Sequence, residues 1–191
     1  MRGMDGADIV LQHYPADVRK MRVAMVTETY PPEINGVAMT MGRIVTGLQA
    51  RGHTVQLIRP RQHAGDCAAA RPLFEEVLQR GVSIPRYDAL KLGLPAKQAL
   101  LRLWAMQRPD VVHVVTEGPL GWSALAAAGK LKLPIATDFH TNFHSYTAHY
   151  GVGWLKKPIT AYLRKFHNKA LRTLVPTDSL RLELAALGFE N

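Results

Sequence analysis

Short apolar runs alternate along the chain with longer stretches in which apolar side chains recur every three or four positions. "MRVAMVT" (21–27) lies between a charged leader and a proline-rich loop, the pattern of a strand buried on both faces of a parallel sheet. After Gly36, the residues Val37, Met41, Ile44, Val45 and Leu48 fall on one helical face, and Gly52 stands where that helix should stop. "TVQLIRP" (54–60), "GVSIPRY" (81–87) and "DVVHVVT" (110–116) read as further strands, and the spacing between them predicts helices over 66–80 and 94–107. Pro119 opens a helix over "PLGWSALAAAGKL", in the first turn where a missing N–H costs nothing, and "LPIATDFH" (133–140) returns as a strand. "PITAYLRKFHNKALR" (158–172) reads as a basic amphipathic helix and "TLVPT" (173–177) as a last strand. A helix over "DSLRLELAAL" (178–187) then has Thr177 to cap it and Gly188 to end it.

This alternation predicts an α/β fold: a Rossmann-like, doubly wound, mainly parallel sheet with helices on both faces. In such a sheet the binding crevice lies beyond the C-terminal strand ends. A flexible leader is expected over 1–20 and one domain over 21–191. Composition fits a folded chain, with 47% hydrophobic and 20% charged residues. The single cysteine, Cys67, cannot form an internal disulfide, so a cytoplasmic location is the default. No window holds eighteen uninterrupted apolar residues, which excludes a spanning helix and leaves attachment to a membrane surface open. The net charge of +9 favours anionic partners without choosing among nucleotide, nucleic acid and acidic lipid.

The first strand ends at Thr27, so "TETYPPEINGV" (27–37) lies over the crevice. Pro31 and Pro32 stiffen the loop, and Gly36 lets backbone approach a ligand without a Cβ. The helix that follows aims its unpaired N–H groups at the crevice, where a phosphate is favoured. Neither G-x-G-x-x-G nor G-x-x-x-x-G-K-[ST] is present, so on its own residues the loop reads equally as a structural turn.

"MRVAMVTETYPPEINGVAMT" (21–40), "ARGHTVQLIRP" (50–60), "RPDVVHVVTEGPLGWSALAAAGKLKLPIATDFHTNFHSYTAHYG" (108–151) and "FHNKALRTLVPTDSLRLELAALGF" (166–189) together resemble the N-terminal half of retaining GT-B glycosyltransferases of family 4. The branch they resemble transfers mannose or a related sugar. The resemblance implies the acceptor-side domain of an enzyme with two Rossmann-like halves, the C-terminal nucleotide-sugar domain being absent from this chain. The full-length protein is then expected to be active and the isolated domain inactive. It implies a GDP- or UDP-linked nucleotide sugar as co-substrate with no other cofactor, a lipid or glycan acceptor, and a place in the cytoplasm or peripherally on the inner face of the membrane.

Carried onto this chain, the resemblance puts Asn35, Gly36 and Val37 at the donor phosphate and His140, of "H-T-N-F", at the transferred sugar as the catalytic candidate. The plainer readings are a turn and a crevice-edge histidine bonded to backbone. Glu28, Glu117, His144 and Tyr146 are candidate acceptor contacts, with a solvated loop carboxylate as the alternative for the two acids. No metal is expected: His140, His144 and His149 form no H-E-x-x-H, and Asp138 lacks a D-x-D neighbour. His113, in a very apolar strand, reads as a core histidine. The helix from Pro158 carries Ile159, Tyr162, Leu163 and Phe166 on one side and Arg164, Lys165, Lys169 and Arg172 largely elsewhere. That pattern suits an anionic membrane surface or, more plainly, a helix packed on the sheet. The competing function, a non-catalytic nucleotide- or nucleic-acid-binding Rossmann-like module, rests on the positive charge and the missing second half; no nucleic-acid motif appears, and no nucleic acid is expected.

Overall fold

A computed structural model describes residues 19–84, 87–140 and 156–191. Its elements run β1 (Arg22–Val26), α1 (Gly36–Ala50), β2 (Thr54–Pro60), β3 (Ala70–Arg71), β4 (Phe74–Gln79), β5 (Gly81–Ile84), β6 (Tyr87–Gly93), α2 (Lys97–Met106), β7 (Val111–Val114), α3 (Pro119–Lys130), β8 (Ile135–Asp138), α4 (Lys156–His167), β9 (Arg172–Leu174) and α5 (Asp178–Ala186). Seven strands form one sheet in the order β3-β4-β2-β1-β7-β8-β9, in which only the edge strand β3 is antiparallel to its neighbour. The chain winds outward from β1 through β2 and β4, then returns to the other side of β1 with β7, β8 and β9. Connections therefore diverge between β1 and β7, and a crevice opens at their C-terminal ends.

The central strands β1, β2 and β7 are buried on both faces, as their near-continuous apolar runs require. Met25 of β1 joins Leu57, Met41 and Val45 under α1, whereas Ala24 and Val26 face Leu100, Trp104, Leu120 and Ala124 of α2 and α3. Burying each of these larger side chains contributes about 1.5–3 kcal/mol before chain entropy is counted. A third cluster joins Phe139, Leu163, Leu184 and Phe189 around α4 and α5.

Helix boundaries follow the residues that set them. Asn35 caps α1, its Oδ1 accepting from Ala38 N–H at 2.8 Å, and Thr177 caps α5 by accepting from Leu180 N–H at 3.3 Å. Pro119 sits at the start of α3. Gly52 and Gly188 take φ of +79° and +83° just beyond α1 and α5, where a side chain would be strained. Gly121 lets α3 press against the end of β7; a Cβ there would lie 2.2 Å from the Thr116 carbonyl oxygen.

Two expectations are corrected. Residues 66–80, whose apolar spacing reads as helical, form a loop and the strands β3 and β4. β4 carries Glu75 and Glu76 beside β2 because Gln56 and Arg59 there meet them: Gln56 Nε2 donates to Glu75, and Arg59 Nε and Nη2 donate to Glu76 at 3.2 Å each. "GVSIPRY" is not a strand of the main sheet; it straddles the antiparallel pair β5 and β6, a separate two-stranded sheet. Residues 1–18 of the expected leader (1–20), and His144, Tyr146 and His149, lie outside the described residues.

Candidate active-site cleft

At the C-terminal end of β1, Thr27 Oγ1 donates to the Thr29 carbonyl at 2.8 Å and turns the chain over the sheet. Thr29 Oγ1 then donates to Glu33 and accepts from Asn35 Nδ2 at 2.6 Å, so the loop is tied to the start of α1. The Asn35 side chain is spent on this bracing and on its capping bond. Beyond it, the N–H groups of Gly36 and Val37 have no carbonyl one turn back to bond. A Cβ built on Gly36 meets nothing within 4 Å, and its φ lies outside the positive region. Neither packing nor backbone geometry requires glycine there.

Across the crevice, Glu28 N–H donates to Thr116 Oγ1 at 2.9 Å, joining the β1 and β7 ends. The Glu28 carboxylate accepts from Leu120 N–H at 3.2 Å and from Gly93 N–H, so one side chain ties β1, the hairpin and α3 together. Burial pushes its carboxyl up to about 7, outweighing the two N–H donors that favour the anion. Gly118 makes the approach possible, since a Cβ there would stand 2.1 Å from Glu28 Oε1. Glu28 is thus a braced carboxyl and not a solvated one.

His140 follows β8 and is partly exposed at the cleft, with Nε2 3.4 Å from Asp138 Oδ2. Asp138 Oδ1 lies 2.8 Å from Nε2 of the buried His113, an electrostatic contact without hydrogen-bond alignment. Burial pushes the Asp138 carboxyl up, but the two flanking histidines prevail and hold it at about 2. His113 is buried as expected, although it faces a carboxylate. His140 leans on that same carboxylate.

Glu117 is held from behind by His167, whose Nε2 lies 3.4 Å from Glu117 Oε1 and whose Nδ1 lies 2.9 Å from Thr137 Oγ1. The ring is wholly buried. Tyr162 Oη donates to the Glu117 carbonyl and accepts from Trp122 Nε1 at 2.8 Å. Sequence reasoning placed Tyr162 on a helix face and missed this link, as it missed His167 and Thr116. Polar groups set into apolar stretches were the available signal.

The structure gathers these groups in one cleft of about 870 Å³, lined among others by Glu28, Gly36, Val37, Thr116, Glu117 and His140. Residues 104 positions apart in sequence, Gly36 and His140, meet on its rim. Among the described residues, no group of three or more His, Cys, Asp or Glu side chains is placed to hold a metal ion.

The family model for Glycosyltransferase Family 4 matches residues 34–191. The chain belongs to that family. This family 4 chain is 34% identical over 168 residues to a GDP-mannose-dependent alpha-mannosyltransferase of Mycolicibacterium smegmatis, covering 87% of the chain and 44% of the relative. It is 32% identical over 136 residues to an alpha-monoglucosyldiacylglycerol synthase of Acholeplasma laidlawii, covering 68% of the chain and 32% of the relative. Its fold matches a sucrose-phosphate synthase from Thermosynechococcus elongatus with a TM-score of 0.59 at 11% identity, over 87% of this chain and 45% of the other. The family 4 chain spans less than half the length of these relatives. Its α4 buries Leu163 and Phe166 while Ile159 and Tyr162 stay partly exposed, so the helix packs on the sheet and still shows some apolar surface. No helix among the described residues is long and apolar enough to cross a membrane.

Proposed function

We propose that this chain is the acceptor-side domain of a retaining glycosyltransferase that moves mannose from a nucleotide sugar, GDP-mannose in the first instance, to a lipid or glycan acceptor. The observation that carries the reading is Gly36: a glycine that nothing in the fold demands, at a helix start, on the same cleft as His140. The names of the mannosyltransferase and diacylglycerol-synthase relatives support the donor and the lipid class.

In this reading the sugar–phosphate C–O bond breaks with its electron pair leaving on the diphosphate. The N–H groups of Gly36 and Val37 donate to that growing charge, and the helix dipole adds to the effect. The acceptor hydroxyl oxygen bonds to the anomeric carbon on the face the phosphate leaves, and its proton passes to the departing phosphate oxygen. His140 hydrogen-bonds the sugar. Glu28 and Glu117 border the acceptor side, and no metal or further cofactor takes part. The basic faces around α4 rest against the inner membrane surface when the acceptor is a lipid.

A panel of GDP- and UDP-sugars against lipid and glycan acceptors, run on the complete gene product with product stereochemistry determined, tests this. Transfer from GDP-mannose with retention is expected. Gly36→Ala should lower kcat about tenfold or more, the cost of misplacing one charge-assisted donor, with an unchanged melting midpoint. Unaltered transfer in both Gly36→Ala and His140→Ala would refute the site.

A further inference from the structure

A second pocket, of about 380 Å³, opens between the loop after β2 and the hairpin. Arg61, His63, Arg80 and Lys91 stand in its wall, and none of the described residues lining it is acidic. We propose that this pocket binds a phosphate group, carried by the acceptor whose hydroxyl lies in the neighbouring cleft.

Arg61, His63 and Arg80 are exposed, and the framework that presents them is fixed. Asp66 and Glu76 are turned inward onto Arg59, whose side chain is 6% exposed, at 2.6 and 3.2 Å. Asp66 also accepts from Gln62 N–H at 2.8 Å, and its carbonyl accepts from the Arg61 guanidinium. The acids of this region are thereby consumed in fixing the loop that presents Arg61 and His63. Arg61 N–H bonds the Gln79 carbonyl at 2.9 Å, and Leu94 N–H bonds the Arg80 carbonyl at 2.8 Å, which fixes the two arginine backbones against each other. Gly81 allows that closeness, since a Cβ there would come within 2.9 Å of Pro60 Cβ.

Three permanent cations around one concavity repel one another, and an anion between them turns the repulsion into attraction. Separate cationic heads suit the three oxygens of a phosphate monoester. Lys91, fixed by donation to Ser83 Oγ at 2.6 Å, lines both this pocket and the cleft. It gives one ligand a path from phosphate to reacting hydroxyl. The assignment to an acceptor rests on the transferase reading; the phosphate site itself does not.

The test follows backbone amide resonances of the chain during titration with glycerol 3-phosphate, with glycerol as the control. Saturable shifts at Arg61, His63, Arg80 and Gly81 are expected with the phosphate only, and Arg80→Gln should weaken binding about tenfold, the loss of one charge-assisted contact, without lowering the melting midpoint. Phosphatidylcholine vesicles containing phosphatidic acid, compared with pure phosphatidylcholine, separate the sources. Shifts of the same amides identify a lipid headgroup phosphate, and their absence beside a response to glycerol 3-phosphate identifies a soluble one. Unsaturable shifts spread over all basic residues, or equal affinity in Arg80→Gln, would overturn the site. Loss of transferase activity in the gene product with these shifts intact would count against the cleft reading alone.

Discussion

Replacing Glu28 by glutamine isolates the energetics of the cleft's most heavily tied side chain. In the folded chain its carboxyl titrates at about 7, against 4.5 for the ordinary group, because burial outweighs the Gly93 and Leu120 donors. A carboxyl with a raised folded-state value holds its proton longer in the folded chain than in the unfolded one. Ionisation therefore favours unfolding, and the stability this group contributes at low pH is lost as pH rises from 4.5 through about 7. Linkage over roughly pH 5 to pH 8, with an allowance for partial solvent access, gives a loss of about 2 kcal/mol. Glutamine has no such titration. Urea unfolding, followed through the fluorescence of the buried Trp104, should show wild type losing that amount relative to Glu28→Gln between those two pH values. A difference that stays flat or moves the other way would mean that the two N–H donors win over burial, and the account of this carboxyl would be wrong.

The Arg59 cluster offers a larger effect. Arg59→Met leaves Asp66 and Glu76 buried without their cation and should cost about 3–5 kcal/mol by denaturant unfolding; a cost below about 1 kcal/mol would show the cluster relaxing into solvent. Gly121→Ala forces α3 off the Thr116 carbonyl, since backbone cannot yield as a side-chain tip can, and should cost about 1–3 kcal/mol in the same assay; no change would show that α3 has slack the packing does not reveal.

The centre of the sheet was legible because β1, β2 and β7 are buried on both faces, so "MRVAMVT", "TVQLIRP" and "DVVHVVT" are nearly unbroken apolar runs bounded by turn residues. Helix starts were legible where a local residue sets them, as Asn35, Pro119 and Thr177 do. β4 was not, because Phe74, Val77 and Leu78 happen to fall at helical spacing and the pairs that make it a strand, with Gln56 and Arg59, come from another part of the chain. The hint was in β2: two polar residues inside a buried run need buried partners. At the cleft, Gly36 and His140 could be named from local pattern and family resemblance. The supports, His113 behind Asp138 and His167 behind Glu117, could not, because the first depends on register between β7 and β8 and the second on a helix folding back over the sheet.

The vacancy beside Gly36 also makes the position a place to install a reporter. Cys67, the sole thiol, is exposed in the loop between β2 and β3. A Cys67→Ser background carrying Gly36→Cys would hold a fluorophore at the mouth of the cleft with no folding penalty from contacts. Because the label would stand where the donor phosphate is proposed to approach, such a chain should fold normally and lose the donor, a readout of that approach independent of turnover.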